Sequence, residues 1–143
     1  MKTTPFFLAA LALAAPAMAT SWGPFSVFFE PGDTSLSKFA RPILDNAAAT
    51  YHAHDFGPDG VYVVGGHSDR AERSGAALSC RRASRVYDYL RSKGVPDERL
   101  IVVGFGDGQP LIDAGGEAEN RRAEVNFMVR GQVAEHIAGA HSC

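Results

Sequence analysis

The sequence predicts a single α/β sandwich, ordered β-α-β-α-β-loop-β, with a mixed sheet and its helices packed on one face. Three observations predict it. Residues 61–64 form an apolar, β-branched run closed by Gly65-Gly66, which suits a central strand. Two stretches, 36–51 and 78–90, place apolar residues three and four apart, which is the period of a helix lying on a core. Residues 121–129 alternate Ala123, Val125, Phe127 and Val129 with Arg122, Glu124, Asn126 and Met128, the period of a half-buried strand. A chain of 143 residues is long enough for one domain with a core of its own.

The chain opens with Lys2, an apolar run over residues 6–15 and the small-residue site Ala17-Met18-Ala19. This is the pattern of an export leader, so residues 1–19 are expected to be removed and the mature chain to begin at Thr20. No later apolar run reaches the length of a membrane span, so none is expected after cleavage. The domain is expected over residues 20–130, followed by a tail over 131–143 that forms a short helix or stays disordered.

Residues 26–29 read as the first strand, and Glu30-Pro31-Gly32-Asp33 as a turn. Leu36, Phe39, Ala40, Ile43, Leu44, Ala47, Ala48 and Tyr51 mark the first helix, capped by Ser35 or Ser37. Pro42 sets the start of its regular part near Ala40. His52 and His54 do not share a helix face, and no third ligand accompanies them, so they do not predict a metal site.

After the central strand come His67, Ser68 and Asp69, at the carboxyl edge where open α/β layers bind ligands. Three consecutive residues cannot form a Ser-His-Asp triad, and no G-x-S-x-G elbow is present, so the site reads as non-catalytic. His67 is expected to be a structural, hydrogen-bonding residue. On the second helix, Leu78, Ala83, Val86, Tyr87 and Leu90 fall on one arc, and Arg82 falls inside it. Arg81, Arg85, Asp88 and Arg91 fall on the opposite arc. A guanidinium within an apolar stripe needs a partner, because it cannot shed its proton. Asp69 is the nearby candidate. An Asp and an Arg at such a junction could also bracket a zwitterion, one taking an ammonium and the other a carboxylate.

Lys93-Gly94-Val95-Pro96 ends the second helix. Residues 100–103 form the third strand. The glycines of 104–108 lack the Lys and helix of a phosphate loop, so no nucleotide cofactor is expected. Residues 107–119 form a loop. Arg121 shares parity with the apolar face of the last strand, so it is placed either to reach a ligand near Asp69 or to pair with a carboxylate such as Asp69 or Glu124.

GHSD, LSCRRA, VVGFGDGQP and ENRRAEV, in that order, resemble the peptidoglycan-binding domain of the OmpA-like family, from about residue 27 to 129. The resemblance implies an α+β domain without enzymatic activity. It would bind peptidoglycan non-covalently in the periplasm through the diaminopimelate of the stem peptide. It implies that Asp69 takes the ligand ammonium and Arg82 a carboxylate, with Arg121 a second cation and Ser68 beside them. Backbone N–H groups at the start of the second helix could assist. The turn between Ser68 and Leu78 is about two residues shorter than the family's, and Gly75 stands near the place of its usual Asn. An envelope adaptor that keeps the fold but has lost the ligand, and contacts an outer-membrane or other envelope protein, is therefore the alternative.

Composition supports no nucleic-acid partner. The formal charge is −2, and the cations are not gathered into one tract. Export makes a disulfide between Cys80 and Cys143 permissible. A small buried Cys80 with a free terminal thiol is the equal alternative.

Overall fold

The computed structural model describes residues 24–143. The expected leader at residues 1–19 lies outside the described residues. The order of elements is β1 (Phe25–Phe28), α1 (Ala40–Ala53), β2 (Gly60–Gly66), α2 (Gly75–Ser92), β3 (Leu100–Gly104), β4 (Arg122–Val129), α3 (Arg130–His136) and β5 (His141–Ser142). Through β4 this is the predicted order, with β1 displaced by one residue toward the amino terminus.

The sheet runs β1-β4-β2-β3-β5. β2 and β3 are parallel, joined by α2 as the crossover, while β4 is inserted antiparallel between β1 and β2. The sheet is therefore mixed. All seven residues of β2 are buried, as a central strand covered on both faces must be.

One face carries the main core. Tyr62 and Val64 of β2, with Ala123 and Val125 of β4, meet Leu44, Ala47 and Ala48 of α1 and Ala83, Val86 and Leu90 of α2. The Tyr62 hydroxyl, buried there, donates to the Ala47 carbonyl at 3.0 Å. α1 begins at Ala40, as Pro42 requires. Ser37 Oγ accepts from the amides of Phe39 and Ala40, satisfying donors that the helix start leaves orphaned. α2 lies unusually close to β2. A Cβ at Gly66 would stand 1.8 Å from the Ser79 carbonyl oxygen, so only glycine fits this crossing.

The residues after Val129 add to the expected layers. α3 and the residue that ends it lay Val133 and Ile137 over Val61, Val63, Val103 and Phe105, the opposite face of the sheet. β5 then pairs antiparallel with β3. Cys80 and Cys143 form a disulfide with Cα atoms 5.4 Å apart, tying the chain's last residue to α2. Of the two readings that sequence left open for these cysteines, the bonded one is found. Among the described residues, no helix is long and apolar enough to cross a membrane.

A carboxylate seat at the end of the central strand

Arg82 projects from the buried arc of α2, and its side chain is fully excluded from solvent. The helical period put it there, and its partner follows from the short turn after β2. The chain leaves β2 through His67, Ser68 and Asp69, then folds back at once, with the Glu72 amide donating to the Asp69 carbonyl at 2.9 Å. This tight turn carries the Glu72 carboxylate onto the guanidinium. Arg82 Nη1 donates to Oε1 at 2.7 Å and Nη2 to Oε2 at 2.6 Å, a bidentate pair. The remaining guanidinium donors go to the carbonyls of Asp33, His67 and Glu30.

The partner of Arg82 is thus Glu72 and not Asp69, as sequence had suggested. Two backbone amides complete the arrangement: Asp69 N donates to Glu72 Oε1 and Gly32 N to Oε2, each at 2.8 Å. Each carboxylate oxygen therefore receives two N–H donors, one from the guanidinium and one from the backbone. Burial pushes the Glu72 carboxyl up, but the bonds from Arg82, Gly32 and Asp69 outweigh it and hold it below its ordinary value. The expected backbone help from the start of α2 comes instead from Gly32 in the β1–α1 turn and Asp69 itself.

Asp69 is 1% exposed and has a separate task. Its Oδ1 accepts from the amides of Ala71 and Gly116, and its Oδ2 from the Glu117 amide and the Asn120 side chain. Four donors fill the capacity of one carboxylate. Burial would raise its pKa, yet hydrogen bonds from Gly116, Ala71, Asn120 and Glu117 lower it to about 2. Asn120 meanwhile fastens the 107–119 loop, accepting from the amides of Leu111 and Ile112 and donating to the carbonyls of Ile112 and Ala114.

Ser68 is buried, and its hydroxyl is turned toward Gly75, where an added Cβ would sit 2.8 Å from Oγ. It faces the helix start rather than an opening. Glycine at position 75 is thereby explained as a close approach.

Arg121 is half-buried, and its Nε donates to the Phe29 carbonyl at 3.0 Å. Neither carboxylate proposed from sequence pairs with it, since Asp69 is bonded elsewhere and Glu124 is held by Arg122. Arg121 lines a groove of about 530 Å³ together with Phe29, Glu30, Asp33, Lys38 and Phe39. Glu30 is exposed on this groove. The Asp33 carboxylate is occupied by Thr34 and Ser35. The groove adjoins the seat, because Glu30 and Asp33 lend their carbonyls to Arg82.

His67 lies on the other face of β2. Its ring stacks on Phe105 with centroids 5.0 Å apart, and neither ring nitrogen has a hydrogen bond within the protein. Its role is therefore packing rather than the hydrogen bonding expected of it. Burial, and then the charge of Arg122, lower its pKa to about 4, so the ring is neutral near pH 7. His52 and His54 direct ring nitrogens to the carbonyls of Lys93 and Thr50.

Glu72 and Asn120 were missed from sequence. Asn120 stands inside the ENRR motif and was recognisable there. Glu72 stands in an aperiodic turn, and its one signal was an acidic residue near an Arg that needed a partner.

The OmpA family model matches residues 28–124. A peptidoglycan-associated lipoprotein of Rhizobium meliloti is 33% identical over 102 residues, covering 68% of this chain and 56% of the relative. Outer membrane protein A of Bordetella avium is 33% identical over 105 residues, 71% of this chain and 53% of that protein. The chain thus spans about half the length of the curated relatives it matches. Among solved structures, the peptidoglycan-associated lipoprotein of Burkholderia pseudomallei superposes with a TM-score of 0.65 at 27% identity, covering 72% of this chain and 89% of that one.

Proposed function

We propose, since this chain belongs to the OmpA family, that it binds peptidoglycan non-covalently in the periplasm, through the diaminopimelate of the stem peptide. The observation that carries this reading is the seat on Arg82. A buried guanidinium and two backbone amides converge on one carboxylate, and diaminopimelate brings a carboxylate of its own. The names of its relatives, peptidoglycan-associated lipoprotein among them, support the same ligand.

The roles are divided as follows. Arg82 takes a ligand carboxylate. Arg121, which lines the groove, takes a second anionic or carbonyl group. Asp69 has its lone pairs filled, so it shapes the loop and presents its own amide to the seat rather than receiving the ligand ammonium. Glu30, exposed beside Arg121, is the carboxylate available to that ammonium. No bond is made or broken. In this reading the domain is a tether between the wall and another envelope component.

The occupation of Arg82 by Glu72 favours a second reading, an envelope adaptor that has kept the fold and given up the ligand. Co-sedimentation of the mature protein with purified sacculi separates the two. Pelleting that free diaminopimelate suppresses supports wall binding, and a protein left in the supernatant supports the adaptor. Release of soluble muropeptides would contradict both.

A further inference from the structure

Glu72 is placed as a ligand would be. It is the one group that fills a four-donor receptor, and it reaches that receptor from a surface turn whose neighbours Arg70, Ala71, Arg73 and Ser74 are all exposed. Its own side chain is 6% exposed while that of Arg82 is fully covered. Glu72 is therefore the cover of the seat as well as its content. If its χ angles swing the carboxylate outward, four donors are left facing the opening: Arg82 Nη1 and Nη2, Asp69 N and Gly32 N. A carboxylate, with two acceptor oxygens in one plane, satisfies all four.

We propose that Glu72 is a built-in competitor, an internal carboxylate that holds the seat until a carboxylate of the wall peptide displaces it. This rests on the wall-binding reading above. The displacement exchanges one carboxylate for another on the same donors, so the exchange itself is nearly balanced. Net affinity then comes from the contacts that Glu72 cannot make, at Arg121 and Glu30 in the adjoining groove. Two consequences follow. The apparent affinity of the native protein is reduced by the fraction of molecules in which Glu72 holds the seat. The site also selects a free carboxylate over a carboxamide, because an amide would aim N–H groups at two of the four donors. A glycan strand, which offers hydroxyls and acetamido groups but no free carboxylate, cannot release Glu72.

The test uses Glu72→Gln and Glu72→Ala in the whole mature protein. Sacculus co-sedimentation is measured for each, alongside melting temperature in sodium acetate against sodium chloride at equal ionic strength. The proposal expects Glu72→Gln to pellet with sacculi at least about tenfold more tightly than wild type, since the competitor has lost its charge. It expects acetate to raise the melting temperature of Glu72→Ala but not of wild type, and free diaminopimelate to raise both, Glu72→Ala by more. The diaminopimelate carboxamide should raise them much less. Where Glu72→Ala fails to fold, the same thermal readouts on Glu72→Gln decide the point. Wild type that pellets well, with Glu72→Gln equal or weaker, overturns the competitor and leaves wall binding standing. Acetate rescue without pelleting by either protein overturns wall binding and leaves the seat as a carboxylate receptor. The absence of both overturns both.

Discussion

Glu72 and Arg82 meet through two parallel hydrogen bonds of 2.7 and 2.6 Å, whereas Asp69, the residue closer in motif, spends its carboxylate on Ala71, Gly116, Glu117 and Asn120. Two acidic residues three positions apart thus do different work. One closes the seat, and the other anchors the loop that borders it.

Arg82→Ala should be severely destabilising as well as unable to bind the wall. It would strand the Glu72 carboxylate in a buried site and open a void beside Phe29, over which the guanidinium lies. Breaking a buried pair from one side costs about 3–5 kcal/mol. Arg81→Ala, on the exposed arc, should stay within about 0.5 kcal/mol of wild type. Urea unfolding of both variants checks this. Equal losses would mean that the pair contributes no more than a surface charge.

Stability should depend on pH in two steps with different owners. The His67 pKa falls from 6.5 unfolded to about 4 folded. The unfolded chain therefore takes up the proton first, and stability present above about pH 6.5 is lost as pH falls toward 4. Asp69 falls from 3.8 to about 2. Its contribution is present above about pH 4 and is lost between there and pH 2. Unfolding free energies measured across this range should lose the upper step in His67→Phe, which keeps a ring on Phe105. The lower step should shrink in Asp69→Asn. An unchanged upper step in His67→Phe would assign it to another group.

Asp69→Asn should cost about 1–3 kcal/mol, because an amide N–H₂ would confront donors that now find an acceptor. It should also loosen the 107–119 loop. Amide hydrogen exchange at Gly116 and Glu117 is the readout, and faster exchange at those two positions is expected.

Reduction of Cys80–Cys143 should release the last strand and weaken the cover that α3 gives the second sheet face. The sequence separation is 63 residues. Chain entropy for a loop of that size gives about 4 kcal/mol as an upper figure. A melting temperature lower by roughly 10 °C in reductant is expected for a domain of this size. Cys143→Ser should reproduce it. No change in either condition would show that β5 and α3 hold without the bond.

The parts legible in sequence were those with a period. β2 was visible as an unbroken apolar run, and Arg82 as the charge that interrupted a helical stripe; both positions follow from repeat geometry. The helices were expected on one face of the sheet, so a cover on the other face was not. The second cover, α3, went unrecognised as such because a seven-residue helix offers two apolar contacts and no repeat. Glu72 was illegible for a different reason. Its position depends on how the eight-residue turn between β2 and α2 closes, and turn closure is set by hydrogen bonds between residues whose spacing carries no pattern. The shortened turn was visible, but not that the shortening brings a carboxylate to the guanidinium.

In the wall-binding reading, the seat on Arg82 receives a carboxylate from the wall peptide. Titration of ¹⁵N-labelled protein with free diaminopimelate, followed by amide NMR, tests it most directly, because Gly32 and Asp69 each donate an amide to whatever occupies the seat. These two resonances, with the Arg82 Nε–H, are expected to move together and saturate, with the Arg121 Nε–H following. Saturating shifts elsewhere, with Gly32 and Asp69 unmoved, would contradict it.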